Sequence, residues 1–504
     1  MDFWSNTIFG FQQVLQPINL LYCFMGVTLG TLVGVLPGIG PVATMSMLLP
    51  LTLRASPLPS IIMLAGVYYG AQYGGSTTSI LVNIPGEASS VVTCIDGYQM
   101  ARKGRAGPAL GIAALGSFIG GTFSVIALVF LVLPLSKVAI RLGPAEYFAI
   151  VTMGLTLVLY LSTRSLLKGA IMAILGLILS CMGTDIISGK IRFTQGLTMF
   201  YEGIDIASMV MGLFGISEVL INLEKAEERT IFKERVKNLL PNLQDWKRAA
   251  FPITRGTILG FFLGLIPGGG AILSSFLSYA VEKKVSKHRE EFGKGAIEGV
   301  AGPETANNAA VGGAFIPLFA LGIPSNVVMA ILLATFMLHG VAPGPDFIAK
   351  NPELFWGIIA SMYLGNIMLL ILNLPLIGIW VKILEIPYKI LFPLILLFCV
   401  IGAYSINGQT MDILVMIVFG LVGYLMKKLD YEPVPLVFAF VLGSMLEFKF
   451  RQTMAIASHN LSFFLTRPVA LGALSISIFI IISGFWGHFW KLRKKAIDSG
   501  ILDD

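Results

Sequence analysis

The sequence GVLPGIG at residues 34–40 returns as GLIPGGG at residues 264–270, so the chain carries an internal duplication. Each copy is followed by a second apolar-Pro-small step, NIPG at 83–86 and GIPS at 322–325. Proline removes a backbone donor and glycine exposes the backbone, so these steps free polar groups inside apolar helices. Such groups must line something polar at membrane depth. Repeated halves with broken helices around a central site are typical of secondary transporters.

The composition is that of a membrane protein. Hydrophobic residues make up 56% of the chain and charged residues 12%, whereas soluble domains carry about 25% charged residues. Apolar stretches that suit membrane spans occur near 58–82, 106–135, 144–163, 166–183, 204–222, 354–380, 388–407, 411–426 and 468–490. The sequence has no G-x-x-x-x-G-K-[ST] loop for ATP phosphates. We therefore expect an ion gradient or a partner protein to drive the activity.

Charge, cysteine and histidine patterns argue against other classes of protein. The net charge of +7 reflects topology rather than nucleic-acid binding, because Lys and Arg collect in cytoplasmic loops. Four scattered cysteines lack metal-site or disulfide spacing, and the histidines form no HExxH or triad-like pattern. We expect no enzyme activity, no cofactor other than a coupling cation, and no nucleic-acid partner.

Loop charge favours re-entrant hairpins over kinked crossings at the two Pro-Gly steps. Residues 18–53 and 255–282 each form two apolar arms that are too short to span a bilayer alone. Basic residues cluster on both sides of the second hairpin, at 223–255 and 283–294, which predicts that both flanks are cytoplasmic. A single kinked crossing is the alternative.

The same count predicts two halves of opposite orientation, because the first hairpin enters from outside and the second from inside. The predicted fold is an all-α polytopic membrane protein with two inverted repeats, each with a re-entrant Pro-Gly hairpin and about five transmembrane helices, plus a C-terminal helix. The predicted segments are a first repeat at 1–223, a charged cytoplasmic connector at 224–254, a second repeat at 255–450, and a C-terminal transmembrane helix with a basic tail at 451–504.

Two polar clusters beside the breaks predict the binding site. They run from Tyr68 to Ser90 and from Glu298 to Asn326. Their hydroxyls, amides and exposed backbone suit both a small cation and a carboxylate at helix N-termini. The predicted substrate- and ion-binding residues are Pro37, Gly38, Gly40, Gln72, Tyr73, Ser76, Thr77, Thr78, Asn83, Pro85, Gly86, Pro267, Gly268, Gly269, Gly270, Glu304, Thr305, Asn307, Asn308, Pro324 and Ser325.

Close packing of helices is the alternative explanation for the small residues, although packing requires neither the paired Pro-Gly steps nor the nearby amides. A charge at bilayer depth is usually functional, so Glu304 is predicted to coordinate a cation or exchange protons. Its alternative role is to cap a helix after Pro303. Sodium is predicted to bind at Ser76, Thr77, Asn83, Asn307 and Asn308.

Four long motifs carry a family resemblance. They are GVLPGIGPVATMSMLLPLT (34–52), YYGAQYGGSTTSILVNIPGEASSVVTCIDGYQMARKGRAGPAL (68–110), GLIPGGGAILSSFLSYAVEKK (264–284) and GPETANNAAVGGAFIPLFALGIPSN (302–326). With these motifs the chain resembles the large membrane subunit of the tripartite tricarboxylate transporters, the TctA family. The resemblance implies a multi-pass protein of the bacterial inner membrane that takes up citrate or related carboxylates by symport with sodium or protons.

The same resemblance implies two protein partners, a small four-helix membrane subunit (TctB-like) and a periplasmic solute-binding protein (TctC-like). It also implies kinship with transporters that have paired re-entrant hairpins, and hence an elevator-type movement and a homodimer. A stand-alone ion-coupled carboxylate transporter, or a channel without a binding protein, is the alternative function.

Overall fold

The protein is described by a computed structural model over residues 3–36, 40–162, 165–185, 187–224, 238–384 and 388–498. Helices dominate these residues. Seven of the described helical segments are long and apolar enough to cross a bilayer: Pro17–Val35, Ala106–Ala139, Pro144–Leu161, Ile206–Glu224, Pro352–Asn373, Thr410–Lys428 and Pro433–Ile456. This confirms the prediction of an all-α polytopic membrane protein.

The chain forms two compact units. The larger unit comprises Met1–Ile140 and Asp205–Leu425. Its first stretch holds helices α1 (Phe3–Val14), α2 (Pro17–Val35), α3 (Gly40–Thr52), α4 (Pro57–Val82), α5 (Val91–Arg102) and α6 (Ala106–Ala139).

The second stretch of the larger unit begins after residue 204. Its early helices are α9 (Ile206–Val210), α10 (Ser217–Glu224), α11 (Leu243–Gly264), α12 (Gly270–Val285), α13 (Glu298–Leu321) and α14 (Val327–Leu338). A π-helix at Met211–Ile216 makes α9 and α10 one continuous segment. Its later helices are α15 (Phe347–Lys350), α16 (Pro352–Asn373), α17 (Ile377–Ile383), α18 (Tyr388–Asn407) and α19 (Thr410–Lys428). Helix α11 begins within the segment predicted as a connector, and residues 225–237 of that connector lie outside the described residues.

The smaller unit comprises Arg141–Ile204 and Met426–Asp504. It contains α7 (Pro144–Ser162), α8 (Leu166–Ser180), α20 (Pro433–Ile456) and α21 (Pro468–Asp498), with strand β1 (Gly183–Thr184) paired antiparallel to β2 (Ile191–Arg192). Helix α20 packs on α7 and α8, and α21 packs on α7.

Ion pairs hold the loop that contains this hairpin of strands against α20. Arg451 Nη1 donates to both oxygens of Asp185 at 2.9 Å, and the Ser188 hydroxyl donates to Asp185 Oδ2 at 2.5 Å. Arg192 Nη1 donates to Glu447 Oε1 at 2.7 Å. Hydrogen bonding from Ser188, followed by that from Arg451, holds the pKa of Asp185 well below its ordinary value.

Two buried helices form the centre of the larger unit. Every residue of α4 from Leu58 to Val82 is buried, as is every residue of α13 from Glu298 to Ala320. Helix α2 packs on α4, α11 and α6 pack on α13, and α16 packs on α4. The two predicted polar clusters therefore lie largely on helices that other helices enclose.

The duplication extends to how these central helices are packed. Residues 26–34 of α2 and 256–264 of α11 both read G-x-x-x-G-x-x-x-G. A Cβ atom at Gly30 would lie 2.6 Å from the Val67 carbonyl oxygen on α4, and one at Gly260 would lie 2.1 Å from the Ala306 oxygen on α13. These glycines allow two backbones to touch, so close packing is the correct interpretation for this stripe.

The second Pro-Gly step joins two helices that fold back on each other. Arg255 lies midway along α11, and Glu282 lies near the end of α12. Arg255 donates through Nε to Glu282 Oε1 at 2.8 Å and through Nη2 to Glu282 Oε2 at 2.5 Å. Contact at these two points, both well away from the turn, requires the two helices to run antiparallel. Re-entry of this hairpin into one side of a membrane stays a prediction, as does the inverted symmetry of the repeats.

Candidate functional site

Glu304 on α13 lies at the centre of the predicted site and is fully buried. Its Oε2 accepts a hydrogen bond from the Ser76 hydroxyl on α4 at 2.5 Å and another from Asn307 Nδ2 at 3.1 Å. Its Oε1 accepts a hydrogen bond from the Thr93 hydroxyl on α5. One carboxylate therefore joins α4, α5 and α13.

Only neutral groups bind this carboxylate within the described part of the chain, because its three side-chain donors are two hydroxyls and an amide. A buried carboxylate without a basic partner is energetically costly in its charged form. The arrangement therefore favours a group that is neutralised by a proton or a bound cation.

A second set of amides and hydroxyls joins α13 to α6. Asn308 Nδ2 donates to Ser117 Oγ at 2.8 Å and to Asn307 Oδ1 at 2.6 Å. Ser117 Oγ in turn donates to the backbone oxygen of Glu304 at 3.2 Å. These bonds fix the orientation of both asparagines, so the polar surface beside Glu304 is organised rather than loose.

A third branch connects α4 with α16. The Tyr73 hydroxyl donates to Asn366 Oδ1 at 2.9 Å, and Asn366 Nδ2 donates to Thr122 Oγ1 at 3.2 Å and to the Phe118 oxygen at 3.3 Å. A Cβ atom at Gly121 would lie 2.6 Å from Asn366 Nδ2. This glycine therefore leaves the room that the amide occupies.

A fourth branch runs from α4 to the residues that follow the NIPG step. The Ser89 hydroxyl lies 2.5 Å from both Gln72 Oε1 and Glu87 Oε2. Gln72 Nε2 is buried and has no partner within the described part of the chain. A serine hydroxyl has one proton and can donate to only one of the two oxygens. The other bond requires a donor on the second group, either a protonated Glu87 or a Gln72 amide turned so that Nε2 faces Ser89.

In each copy the Pro-Gly motif, GVLPGIG or GLIPGGG, contacts the part of the chain that carries the later proline step, NIPG or GIPS. In the first copy, the Thr78 hydroxyl donates to the Val35 oxygen at the end of α2 at 2.6 Å, and a Cβ atom at Gly86 would lie 1.9 Å from the Gly34 oxygen. In the second copy, Gly268 N donates to the Ser325 oxygen at 2.9 Å. The duplicated motifs therefore meet in space.

The GIPS step of the second copy, through the Asn326 that follows it, also contacts the first copy directly. Asn326 Nδ2 donates to the Tyr68 hydroxyl on α4 at 3.0 Å. Asn326 Oδ1 accepts from Met329 N at 3.0 Å and so caps α14. Asn326 thus links the start of α14 to α4, the buried helix of the first copy.

The structure brings part of the predicted residue set together around Glu304. Ser76, Asn307 and Asn308 belong to its hydrogen-bond network, and Ser117 shares a small cavity with Ser76 and Thr77. These contacts join residues from both predicted polar clusters.

Other predicted residues lie apart from this network. Asn83 ends α4 in a left-handed conformation, with φ of 57°, and is exposed. The Thr305 hydroxyl donates to the Ala301 oxygen of its own helix at 2.7 Å. Pro37 and Gly38 lie outside the described residues. The remaining residues form the turns and breaks: Gly40, Pro85, Gly86, Pro267, Gly268, Gly269, Gly270, Pro324 and Ser325.

Sequence reasoning missed three polar residues that complete the site. Thr93 and Ser117 lie on α5 and α6, outside the two predicted polar clusters. Their roles emerge only when these helices pack against α13. Asn366 is an amide within the apolar helix α16. A buried amide in a membrane span is the signal that could have identified it.

Known proteins resemble this chain, one of them over nearly its whole length. A model of the tripartite tricarboxylate transporter TctA family matches residues 20–438. An Agrobacterium vitis protein described as an uncharacterized 52.8 kDa protein in the TAR-I ttuC' 3' region is 52% identical over 496 residues, which is 98% of this chain and 99% of its own length. A second protein of that organism, from the TAR-II ttuC' 3' region, is 53% identical over 245 residues, 49% of this chain and 100% of its own length. No solved structure matches the chain.

Proposed function

Because the chain belongs to the tripartite tricarboxylate transporter TctA family, we propose that it is the large membrane subunit of a binding-protein-dependent secondary transporter. The proposed activity is cation-coupled uptake of citrate or related carboxylates, with sodium preferred to protons as the coupling ion. The proposed partners are a small four-helix membrane subunit and a periplasmic solute-binding protein, in a bacterial inner membrane.

The observation that carries this proposal is the position of Glu304. It is a buried carboxylate whose bonds join helices from both copies of the duplication, and its side-chain partners in the described part of the chain are neutral. A cation that enters this site would neutralise the charge, and its departure would restore it. This difference gives an ion gradient a physical means of driving a change of state.

Helix N-termini beside the breaks supply the proposed contacts for a substrate carboxylate. Helices α5 and α14 begin shortly after the NIPG and GIPS steps, where the N–H groups and dipole of a helix N-terminus favour an anion. Glu87 already accepts from Ser89 N at 2.8 Å at the start of this region. Its carboxylate occupies the kind of position that a substrate carboxylate would take.

Inverted repeats, re-entrant hairpins, an elevator-type movement and a homodimer belong to the same proposal. The shared order of helices and breaks in the two copies supports the repeats, and the antiparallel α11 and α12 support a hairpin. In the proposed mechanism, the two polar clusters bind substrate and cation between the hairpins and move with them across the membrane.

Uptake into proteoliposomes tests the function. The chain is reconstituted with its small subunit, and labelled citrate is offered with the binding protein and an inward sodium gradient added separately. Accumulation that requires both additions is the expected result. Accumulation without the binding protein would favour the stand-alone transporter, and equilibration without accumulation would favour the channel. If no carboxylate accumulates with sodium or proton gradients while both partners are active in controls, the proposal is wrong.

A further inference from the structure

A small polar cavity lies between α4, α6 and α16, beside the Glu304 network. It leaves about 10 Å³ for the centre of a water-sized sphere, which is room for one water molecule or one small cation. Its polar wall contains Ser76, Thr77, Ser117 and Asn373, together with Tyr73. Asn373 is absent from the predicted site, so this cavity adds a new residue to it.

Asn373 brings a buried oxygen that has no hydrogen-bond partner among the described residues. The residue is 4% exposed, and its Nδ2 donates to the Leu369 oxygen at 3.0 Å. Its Oδ1 is buried and receives no hydrogen bond from the residues that the structure describes. A buried oxygen in this condition costs free energy unless a ligand supplies the missing contact.

The serine hydroxyls of the wall already use their protons elsewhere. Ser76 Oγ donates to Glu304 Oε2 at 2.5 Å, and Ser117 Oγ donates to the Glu304 backbone oxygen at 3.2 Å. What these groups can still offer the cavity is oxygen lone pairs. Together with Asn373 Oδ1, they form a set of acceptors, which suits a cation and opposes an anion.

The end of α16 adds to this preference. The helix ends at Asn373, directly before Leu374 and Pro375, so its negative dipole end lies at the cavity. Ends of broken helices commonly coordinate sodium in secondary transporters. No group of three or more His, Cys, Asp or Glu side chains suited to a metal occurs in the described ranges. None of the residues that line the cavity is a carboxylate, and Ser76 bonds to one, Glu304, which matches a monovalent ion better than a divalent one.

We propose that Ser76, Thr77, Ser117 and Asn373 bind one sodium ion in this cavity and that Glu304, through Ser76, balances its charge. The site keeps Ser76 and Thr77 from the predicted sodium ligands and replaces Asn83, Asn307 and Asn308 with Ser117 and Asn373. Its role as the coupling site rests on the proposed transport function, but sodium binding itself does not.

Thermal unfolding of the purified full chain in detergent tests sodium binding directly. Sodium chloride is titrated against choline chloride at constant ionic strength, with potassium chloride as a second comparison. A ligand that binds only the folded state raises the melting temperature in a saturable way. The wild type is expected to respond to sodium and not to potassium or choline. Absence of a sodium-specific rise would overturn the proposed site.

Four variants assign the ion to the cavity. Thr77→Val and Asn373→Ala are expected to weaken the apparent sodium affinity at least tenfold. Thr77→Ser and Asn373→Asp keep an oxygen at the same place and are expected to retain the response. They also keep the assignment of the ion to the cavity testable if Thr77→Val or Asn373→Ala fails to fold. An unchanged sodium response in Thr77→Val and Asn373→Ala would show that the ion binds elsewhere.

Matched controls come from hydroxyls that, among the described residues, make a single hydrogen bond, to their own helix. Thr257 on α11 donates to the Ile253 oxygen at 2.8 Å, and Ser136 on α6 donates to the Val132 oxygen at 2.9 Å. Thr257→Val and Ser136→Ala are expected to keep the wild-type sodium response, whereas Ser117→Ala is expected to weaken it. Equal losses in Ser117→Ala and Ser136→Ala would contradict the assignment of Ser117.

The transport assay separates failure of the site from failure of the function. If sodium drives citrate uptake in the wild type but Asn373→Ala and Thr77→Val transport normally, the site is wrong and the function stands. If the purified chain binds sodium through these residues but no carboxylate accumulates under any gradient, the transport function is wrong and the sodium site stands.

Discussion

The hydroxyl of Ser76 donates to Glu304 Oε2 at 2.5 Å, although the two residues lie 228 positions apart in the chain. Ser76 belongs to the buried helix of the first copy of the duplication, and Glu304 belongs to that of the second. The site is therefore shared between the copies, and a change on either helix reaches the same carboxylate.

Replacing the carboxylate by a neutral group of the same shape separates charge from packing. Glu304→Gln is expected to reduce sodium-driven uptake at least a hundredfold, because the amide cannot balance a bound cation. The amount of folded protein in membranes is expected to stay near that of the wild type. Initial uptake rates per mole of purified chain, with gel filtration as a folding check, measure both effects.

The control for this variant is Glu290→Gln, since Glu290 is exposed in the loop before α13. It makes the same chemical change away from the site and is expected to transport normally. Normal sodium-driven uptake by Glu304→Gln would show that Glu304 has a structural role only.

The contact between Gly86 and Gly34 predicts a position where one methyl group is not tolerated. Gly86→Ala would place a Cβ atom 1.9 Å from the Gly34 oxygen, so the NIPG loop or the end of α2 has to move. Overpacking of this kind costs about 1–3 kcal/mol, and a lower melting temperature is expected. Gly472→Ala is the matched control, because no atom lies within 4 Å of its added Cβ. Equal melting temperatures would contradict the close approach.

The ion pair between Arg255 and Glu282 is expected to stabilise the antiparallel arrangement of α11 and α12. The Glu282 side chain is fully buried, so Arg255→Gln would leave it without a cationic partner. Loss of one partner of a buried pair costs about 3–5 kcal/mol. The double variant Arg255→Gln with Glu282→Gln is expected to recover part of this loss. A double-mutant cycle from denaturant unfolding in detergent measures the coupling, and additive effects would contradict a direct pair.

Acid is expected to loosen the smaller unit through Asp185. Its pKa is lowered in the folded protein, first by Ser188 and then by Arg451. Stability from this group is therefore present above the unfolded pKa, roughly 4, and is lost as the pH falls through the lower folded value. Asp185→Asn is expected to lower the melting temperature at neutral pH and to flatten the acid-side decline. A decline identical to that of the wild type would show that Asp185 does not contribute to it.

The breaks and the buried carboxylate could both be predicted from sequence. The breaks could be predicted because proline and glycine act on their own backbone. Their effect at Pro267 or Pro324 needs no knowledge of neighbours. The same holds for Glu304, since a carboxylate within an apolar cluster is costly wherever the helices pack. The family motifs cover these same positions.

Three polar residues of the site could not be predicted in this way. Thr93, Ser117 and Asn373 lie on three helices that meet only in the folded chain, and nothing in their local sequence gives that arrangement. Closeness in sequence does not by itself place a residue in this network, as Asn83 illustrates. It is close to a break in sequence, but the left-handed end of α4 leaves it exposed.

The chain order of the helices that form the glycine-lined contacts has a consequence for synthesis. In each copy the helix that carries the glycine stripe precedes the buried polar helix, α2 before α4 and α11 before α13. A ribosome that makes the chain from its N-terminus therefore completes each covering helix before the polar helix emerges. The polar side chains of α4 and α13 can then leave the insertion machinery against a protein surface that is already present, rather than against lipid.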